Sequence, residues 1–150
     1  MNFYCFHTPL GEMTACDNGA ALTHLLFGKK SGEEKETPLL RECQRQLEEY
    51  FAGKRFKFSL PIELEGTNFQ KRVWQALTCI PYGEVWSYRE LAQAVGNPKA
   101  CRAVGMANHN NPISIIIPCH RVIGADGSLT GYGGGLDKKQ YLLELEQRWK

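Results

Sequence analysis

The spacing of apolar positions changes character along the chain, and the change divides it into two parts. Residues 2–28 carry short strand-like runs. Residues 3–6 are rich in aromatics, Pro9-Leu10-Gly11 turns the chain, and 12–17 alternate in polarity. Asn18-Gly19 is a hairpin signal leading into a third apolar run at 22–27. Residues 29–36 are charged and polar, which predicts a flexible loop. Thr37-Pro38 then opens a helix, with Leu40, Cys43, Leu47, Tyr50 and Phe51 at helical spacing and Gly53 as its stop. Phe56, Phe58, Leu60, Ile62 and Leu64 alternate, as an edge strand or an extended linker would. Gly66 marks a domain boundary, giving 1–66 and 67–150.

The second part has helical periodicity. Thr67 with Gln70 reads as a capping box for a helix that turns Phe69, Val73, Trp74 and Leu77 inward. Ser87 with Glu90 reads as a second, opening a helix that Gly96 stops. Asn97-Pro98 predicts the start of the next helix, running to about Ala107. Two short helices around a Gly96-Asn97 turn form a helix-turn-helix pattern. Asp137 with Gln140 predicts the N-terminus of a last helix reaching Trp149, with Leu142, Glu146 and Trp149 on one face. The run 115–117 is three isoleucines, which predicts a buried strand ended by Pro118. The fold class expected from this pattern is α+β, a small sheet domain followed by a helical one.

Composition narrows the function classes. The chain has 150 residues, 43% of them hydrophobic, the proportion of a soluble globular protein. It shows no run of membrane-spanning length and no basic-then-apolar leader, so a cytoplasmic protein is expected. The six cysteines (5, 16, 43, 79, 101, 119) form no C-x-x-C pair, and reduced thiols are the expectation. Net charge is +2, unevenly placed. Residues 1–66 hold eight basic and ten acidic side chains, net −2, and 67–150 hold ten and six, net +4. A modest basic balance fits salt-sensitive phosphate contacts; ordinary surface scatter produces the same figure.

The chemistry centres on Cys119. A buried cysteine is ordinarily inert packing, but this one lies between a proline and a histidine, and an adjacent imidazole is a common means of forming a thiolate. Neighbouring side chains on extended backbone point apart, so either the chain turns sharply at Cys119-His120 or a water carries the proton between them. Glu146, a carboxylate on an apolar helix stripe, needs a buried partner and could orient His120. Asn111, before Pro112, is restricted to extended backbone.

Pro118-Cys119-His120-Arg121, with Asn111-Pro112 before it and Gly131-Tyr132-Gly133-Gly134-Gly135 after it, resembles the active-site signature of the O6-alkylguanine-DNA alkyltransferases. Pro81-Tyr82-Gly83-Glu84-Val85, Ser87-Tyr88, Gly96-Asn97-Pro98 and Arg102-Ala103-Val104-Gly105 agree in order and spacing, and the likeness runs from about Thr67 to Glu146. The resemblance implies a ribonuclease-H-like N-terminal domain and a helical domain that binds double-stranded DNA through the minor groove, as a monomer. It implies single-turnover transfer of an alkyl group from O6-alkylguanine, or O4-alkylthymine, to Cys119. Catalytic roles would fall to Cys119, His120, Glu146, Asn111 and Tyr88, with Glu146 orienting a histidine that reaches the cysteine through a water. Arg102 would fill the base stack, Tyr88 would help rotate the nucleotide out, and Ser87, Lys99, Ala103 and Gly105 would meet DNA. Tyr132, Gly133 and Val122 would wall the base pocket, with the carbonyls of Cys119 and Val122 accepting from the base's amino group.

Some relatives hold zinc through two cysteines and two histidines. Cys5 and Cys16 are compatible with that, but His24 is displaced and residues 55–80 contain no histidine, so neither metal nor organic cofactor is expected. Two other functions use the same residues. One is a non-enzymatic lesion sensor, against which the presence of Cys119 argues. The other is a Cys-His-Glu hydrolase, which leaves Arg102, Tyr88 and the helix-turn-helix unused.

Overall fold

The computed structural model describes residues 1–150 and separates into two compact units. The first takes 1–65 together with 112–116, and the second takes 66–111 and 117–150. No helix is long and apolar enough to cross a membrane.

In the first unit β1 (Asn2–Thr8), β2 (Gly11–Asp17) and β3 (Leu22–Phe27) form an antiparallel sheet in the order β1-β2-β3. Phe3 pairs with Cys16 and Phe6 with Met13, and all four are buried. The Asn18-Gly19 hairpin is a wider loop, closed by Asn18 N–H to the Ala21 carbonyl, with an irregularity at Cys16/Asp17. Helix α1 (Pro38–Phe51) covers the sheet with Leu40, Cys43, Leu47 and Tyr50. Its N-cap Thr37 accepts from Leu40 N–H and donates to Asp17 Oδ2 at 2.6 Å, which fixes the helix start against the end of β2.

Two extended segments lie along β3. Residues 56–64 form no regular strand; only Ile62 bridges to Leu22, so the linker reading applies. The second segment corrects an expectation. The isoleucine run is not a strand, because pairing falls earlier, where Ile113 bridges Leu25 and Ser114 N–H reaches the Leu25 carbonyl at 3.1 Å. Ile115 and Ile116 then turn the chain, with Ile115 at φ 72°. A β-branched residue in that region is strained by roughly 1–3 kcal/mol. Burial of Ile113, Ile115 and Ile117 at about 1% exposure or less offsets it.

In the second unit α2 (Asn68–Leu77) and α3 (Tyr88–Ala94) begin with complete capping boxes at Thr67/Gln70 and Ser87/Glu90. Val73, Trp74 and Leu77 are buried, and Trp74 Nε1 donates to the Ala107 carbonyl at 2.8 Å. Helix α4 (Cys101–His109) starts later than Asn97-Pro98 predicted. Ala100 N–H bonds the Asn97 carbonyl, so Pro98 and Lys99 occupy the centre of a turn and the helix follows it. A two-residue parallel ladder pairs β4 (Trp86–Ser87) with β5 (Val122–Ile123).

The last helix, α5, runs Leu136–Trp149. The expected Asp137/Gln140 box does not form: the N-cap is Gly135, at φ 104°, and no side chain caps the helix. The chain leaves the glycine loop in a left-handed conformation open to glycine, which shifts the start. The buried stripe of α5 is Lys139, Leu142, Leu145 and Glu146. Trp149, expected on that face, is 45% exposed.

Candidate active site

Cys119, His120 and Arg121 form one turn of 3-10 helix between Pro118 and β5. The backbone therefore turns at this dipeptide rather than running on extended. All three side chains are buried. Burial pushes the Cys119 thiol up to about 11, against the pull of a hydrogen bond from Asn111 and the charge of Lys139. At neutral pH it is a thiol and needs a base.

His120 is fully buried, and its Nε2 lies 2.7 Å from Glu146 Oε2. Its Nδ1 is also buried and makes no hydrogen bond within the protein. Glu146 is held from several sides. Arg121 Nε donates to Oε1 at 2.8 Å, Arg121 Nη2 to Oε2 at 3.0 Å, and Gly83 N–H to Oε1 at 3.2 Å. Burial alone would raise the Glu146 carboxyl. Interaction with His120 first, and then the hydrogen bonds and charge of Arg121, more than reverse this and hold it well below the usual carboxylate range. The imidazole is pushed down, by burial first and by Arg121 and Lys139 further, against the pull of Glu146.

Arg121 was visible in the sequence only as a letter of the motif. It sits 5.7 Å from the Tyr82 ring centroid and donates to the Ile80 carbonyl at 2.7 Å. Its partners lie 25 and 41 residues away, so no local pattern announces them. Lys139 was also missed. It is fully buried, donates to the Thr130 carbonyl at 2.7 Å, and is pushed down to about 8 by burial. Its place on the stripe with Leu142 and Glu146 was the available signal.

The same Thr130 carbonyl accepts from the Tyr88 hydroxyl at 3.1 Å, so Tyr88 and Lys139 share one acceptor on the loop before Gly131. Gly105 of α4 faces the Tyr88 ring, where a Cβ would stand 3.6 Å away. Asn111 donates to the Ile117 carbonyl at 2.8 Å, inside the turn that leads to the cysteine. Asn108, which sequence reasoning passed over, donates to the Cys119 carbonyl at 3.3 Å. Val122 N–H bonds that carbonyl as well, so it is committed to two protein donors. Tyr132 and Val122 are buried, and Gly133 is exposed.

The remaining expected residues lie at the start of α3, in the turn before α4 and on α4 itself. Arg102 and Ala103 are exposed on α4, Lys99 is exposed in the turn before it, and Ser87 caps α3. Met106, one turn beyond Arg102, is 61% exposed. No three His, Cys, Asp or Glu side chains gather as metal ligands. Cys16 and His24 are register partners, while the Cys5 sulfur contacts Thr14 Oγ1 at 3.3 Å.

Two family models match nearly the whole chain. Residues 2–64 match the ribonuclease-like domain of 6-O-methylguanine DNA methyltransferase, and 68–148 match its DNA binding domain. The chain belongs to this methyltransferase family. A methylated-DNA–protein-cysteine methyltransferase of Methanosarcina barkeri is 51% identical over 98% of both chains. The constitutive enzyme of that name from Bacillus subtilis is 48% identical, over 98% of this chain and 96% of its own. Among solved structures, Mycobacterium tuberculosis OGT in complex with DNA matches at TM-score 0.92 and 47% identity, covering 99% of this chain and 94% of that one. Family membership makes the α+β architecture that of a ribonuclease-like domain joined to a DNA-binding one.

Proposed function

We propose that the chain repairs DNA by direct reversal, taking the alkyl group of O6-alkylguanine onto Cys119 once per molecule. The observation that carries this is a buried thiol followed directly in the chain by a buried histidine paired with Glu146, within a family of methylated-DNA–protein-cysteine methyltransferases. His120, held by Glu146 through Nε2, presents Nδ1 as the acceptor, and a water relays the Cys119 proton to it. The thiolate attacks the saturated alkyl carbon, the carbon–oxygen bond breaks, and guanine leaves as its anion. Tyr88, oriented by Thr130 and the ring's packing beside Gly105, supplies a proton to the base. The thioether product has no carbonyl for water to attack, so no thiol is regenerated.

Duplex DNA meets the exposed face of α4 in the minor groove, where the base edges carry little sequence information, as suits a lesion that can occur at any guanine. Arg102 occupies the stack vacated by the extruded nucleotide. The base pocket is walled by Tyr132, Gly133 and Val122. Since the Cys119 carbonyl already has two donors, recognition of the base's amino group falls mainly to the Val122 carbonyl. The protein acts as a monomer. Intact-protein mass after mixing with a duplex bearing one O6-methylguanine tests the reading. A stoichiometric gain of one methyl group, mapped to Cys119 and absent in Cys119→Ser, is the expected result. Tight lesion binding without mass gain would indicate a sensor, and multiple turnovers on an acyl substrate a hydrolase.

A further inference from the structure

We propose that Arg121 is a positioning residue that keeps His120 neutral, leaving its Nδ1 an open acceptor for the Cys119 proton. The inference rests on the alkyl-transfer reading above, which requires His120 to act as a base. A base must be able to take a proton, and the position of His120 is unfavourable for that. A buried carboxylate 2.7 Å from an imidazole favours the imidazolium, in which both nitrogens are donors. An imidazolium cannot accept the thiol's proton, and its Nδ1–H would be buried without a protein acceptor.

Arg121 changes the balance. Its fork engages both Glu146 oxygens, one through Nε and one through Nη2, so His120 shares Oε2 with a permanent cation. The Arg–Glu pair is then neutral as a unit, and His120 completes it as a neutral Nε2–H donor. The guanidinium cannot swing away, because Nη1 is fixed on the Ile80 carbonyl and the Tyr82 ring lies against it. The charged and titratable groups around the imidazole are Glu146 and Lys139 from α5, and Arg121 and Cys119 from its own turn. Tyr82 lies beyond Arg121, and α2 buries only Val73, Trp74 and Leu77. The two cations both oppose a proton on the ring, and Glu146 alone favours one. Arg121 is the cation placed on the carboxylate itself.

The test uses the full chain and a free O6-alkylguanine base, so duplex binding does not enter. Single-turnover alkyl transfer is followed from pH 5.5 to 9 for wild type, Arg121→Lys and Arg121→Met, and the His120 ring nitrogens are observed by 15N NMR. In wild type the ring is expected to be neutral at pH 7, with its proton on Nε2. In Arg121→Met the acid limb of the rate profile should move up by about one pH unit, so the loss relative to wild type grows toward roughly tenfold at the acid end of the range, is slight at pH 7 and vanishes toward pH 9. Arg121→Lys should keep the charge and most of the wild-type profile.

A doubly protonated wild-type ring at pH 7 overturns the inference, and so does an Arg121→Met rate reduced equally at every pH with the ring still neutral. If Arg121→Met does not fold, the wild-type ring state and the Arg121→Lys profile decide the matter. Failure of wild type to take an alkyl group from base or duplex would instead count against the proposed function, while the NMR state of the ring still tests the charge balance.

Discussion

The surroundings of His120 and the outer face of α4 are organised in opposite ways. Around His120 each charged group is buried and held by other parts of the chain: Glu146 by Arg121, His120 and Gly83, and Arg121 by Ile80 and Tyr82. On α4, Arg102, Ala103 and Met106 are exposed among small residues. The first region depends on internal contacts that fix one geometry. The second is free to be shaped by a partner. Substitutions in the first should therefore damage stability and chemistry together, and substitutions in the second should damage only the encounter with DNA.

The largest effect expected is from Glu146→Ala, which leaves Arg121 buried without its counter-ion. Breaking a buried pair from one side costs about 3–5 kcal/mol, so denaturant unfolding should show a stability loss of that order, with alkyl transfer to Cys119 nearly abolished. A loss under about 1 kcal/mol would show that the two regions are not so different. Next comes acid. The depressed His120 favours the native state above 6.5, and that contribution is lost as pH falls from 6.5 through its native value. The depressed Glu146 adds stability above 4.5 that is lost as pH falls toward its own native value. Thermal midpoints should decline below pH 6.5 and more steeply below 4.5, and a flat profile between pH 7 and 4 would contradict both directions.

Arg102→Ala should leave the unfolding midpoint within about 0.5 kcal/mol of wild type. It should slow transfer from duplex far more than from a free alkylguanine base; equal losses on both would remove Arg102 from base extrusion. The smallest effect is at Lys99. Lys99→Ala should weaken duplex binding equally on damaged and undamaged DNA and reduce the slope of log affinity against log salt by about 0.9. An unchanged slope would mean that Lys99 does not touch phosphate.

What could be read from the chain beforehand depended on how far apart the interacting groups lie. The capping boxes at Thr67/Gln70 and Ser87/Glu90 join residues three apart, and both form as read. The same local rule failed at Asp137/Gln140, because the preceding glycine loop set the helix start at Gly135. It failed at Asn97-Pro98 because a β-turn competed for the same residues. Composition suggested a strand for 115–117, but pairing with β3 occurs two residues earlier and burial holds Ile115 in a turn. Within the site, the His120–Glu146 pairing was anticipated through the family resemblance, and the geometry contains it. Arg121 and Asn108 were invisible for one reason: their partners are 11 to 41 residues away and include backbone carbonyls, which a sequence does not display, whereas Lys139 left a signal in its place on the buried helix stripe.

The path of residues 112–116 has a consequence for how the protein can be divided. The chain leaves the second unit after Asn111, adds Ile113 and Ile115 to the first unit beside β3, and returns at Ile117 two residues before the nucleophile. A fragment cut at the 65/66 junction would carry this tongue away from the sheet that buries it. The sticky isoleucines would then lie in water on the segment that aims the cysteine. The two modules are separate in composition but stitched together by one thread, so neither half should be expected to work, or to stay soluble, as an independently expressed piece.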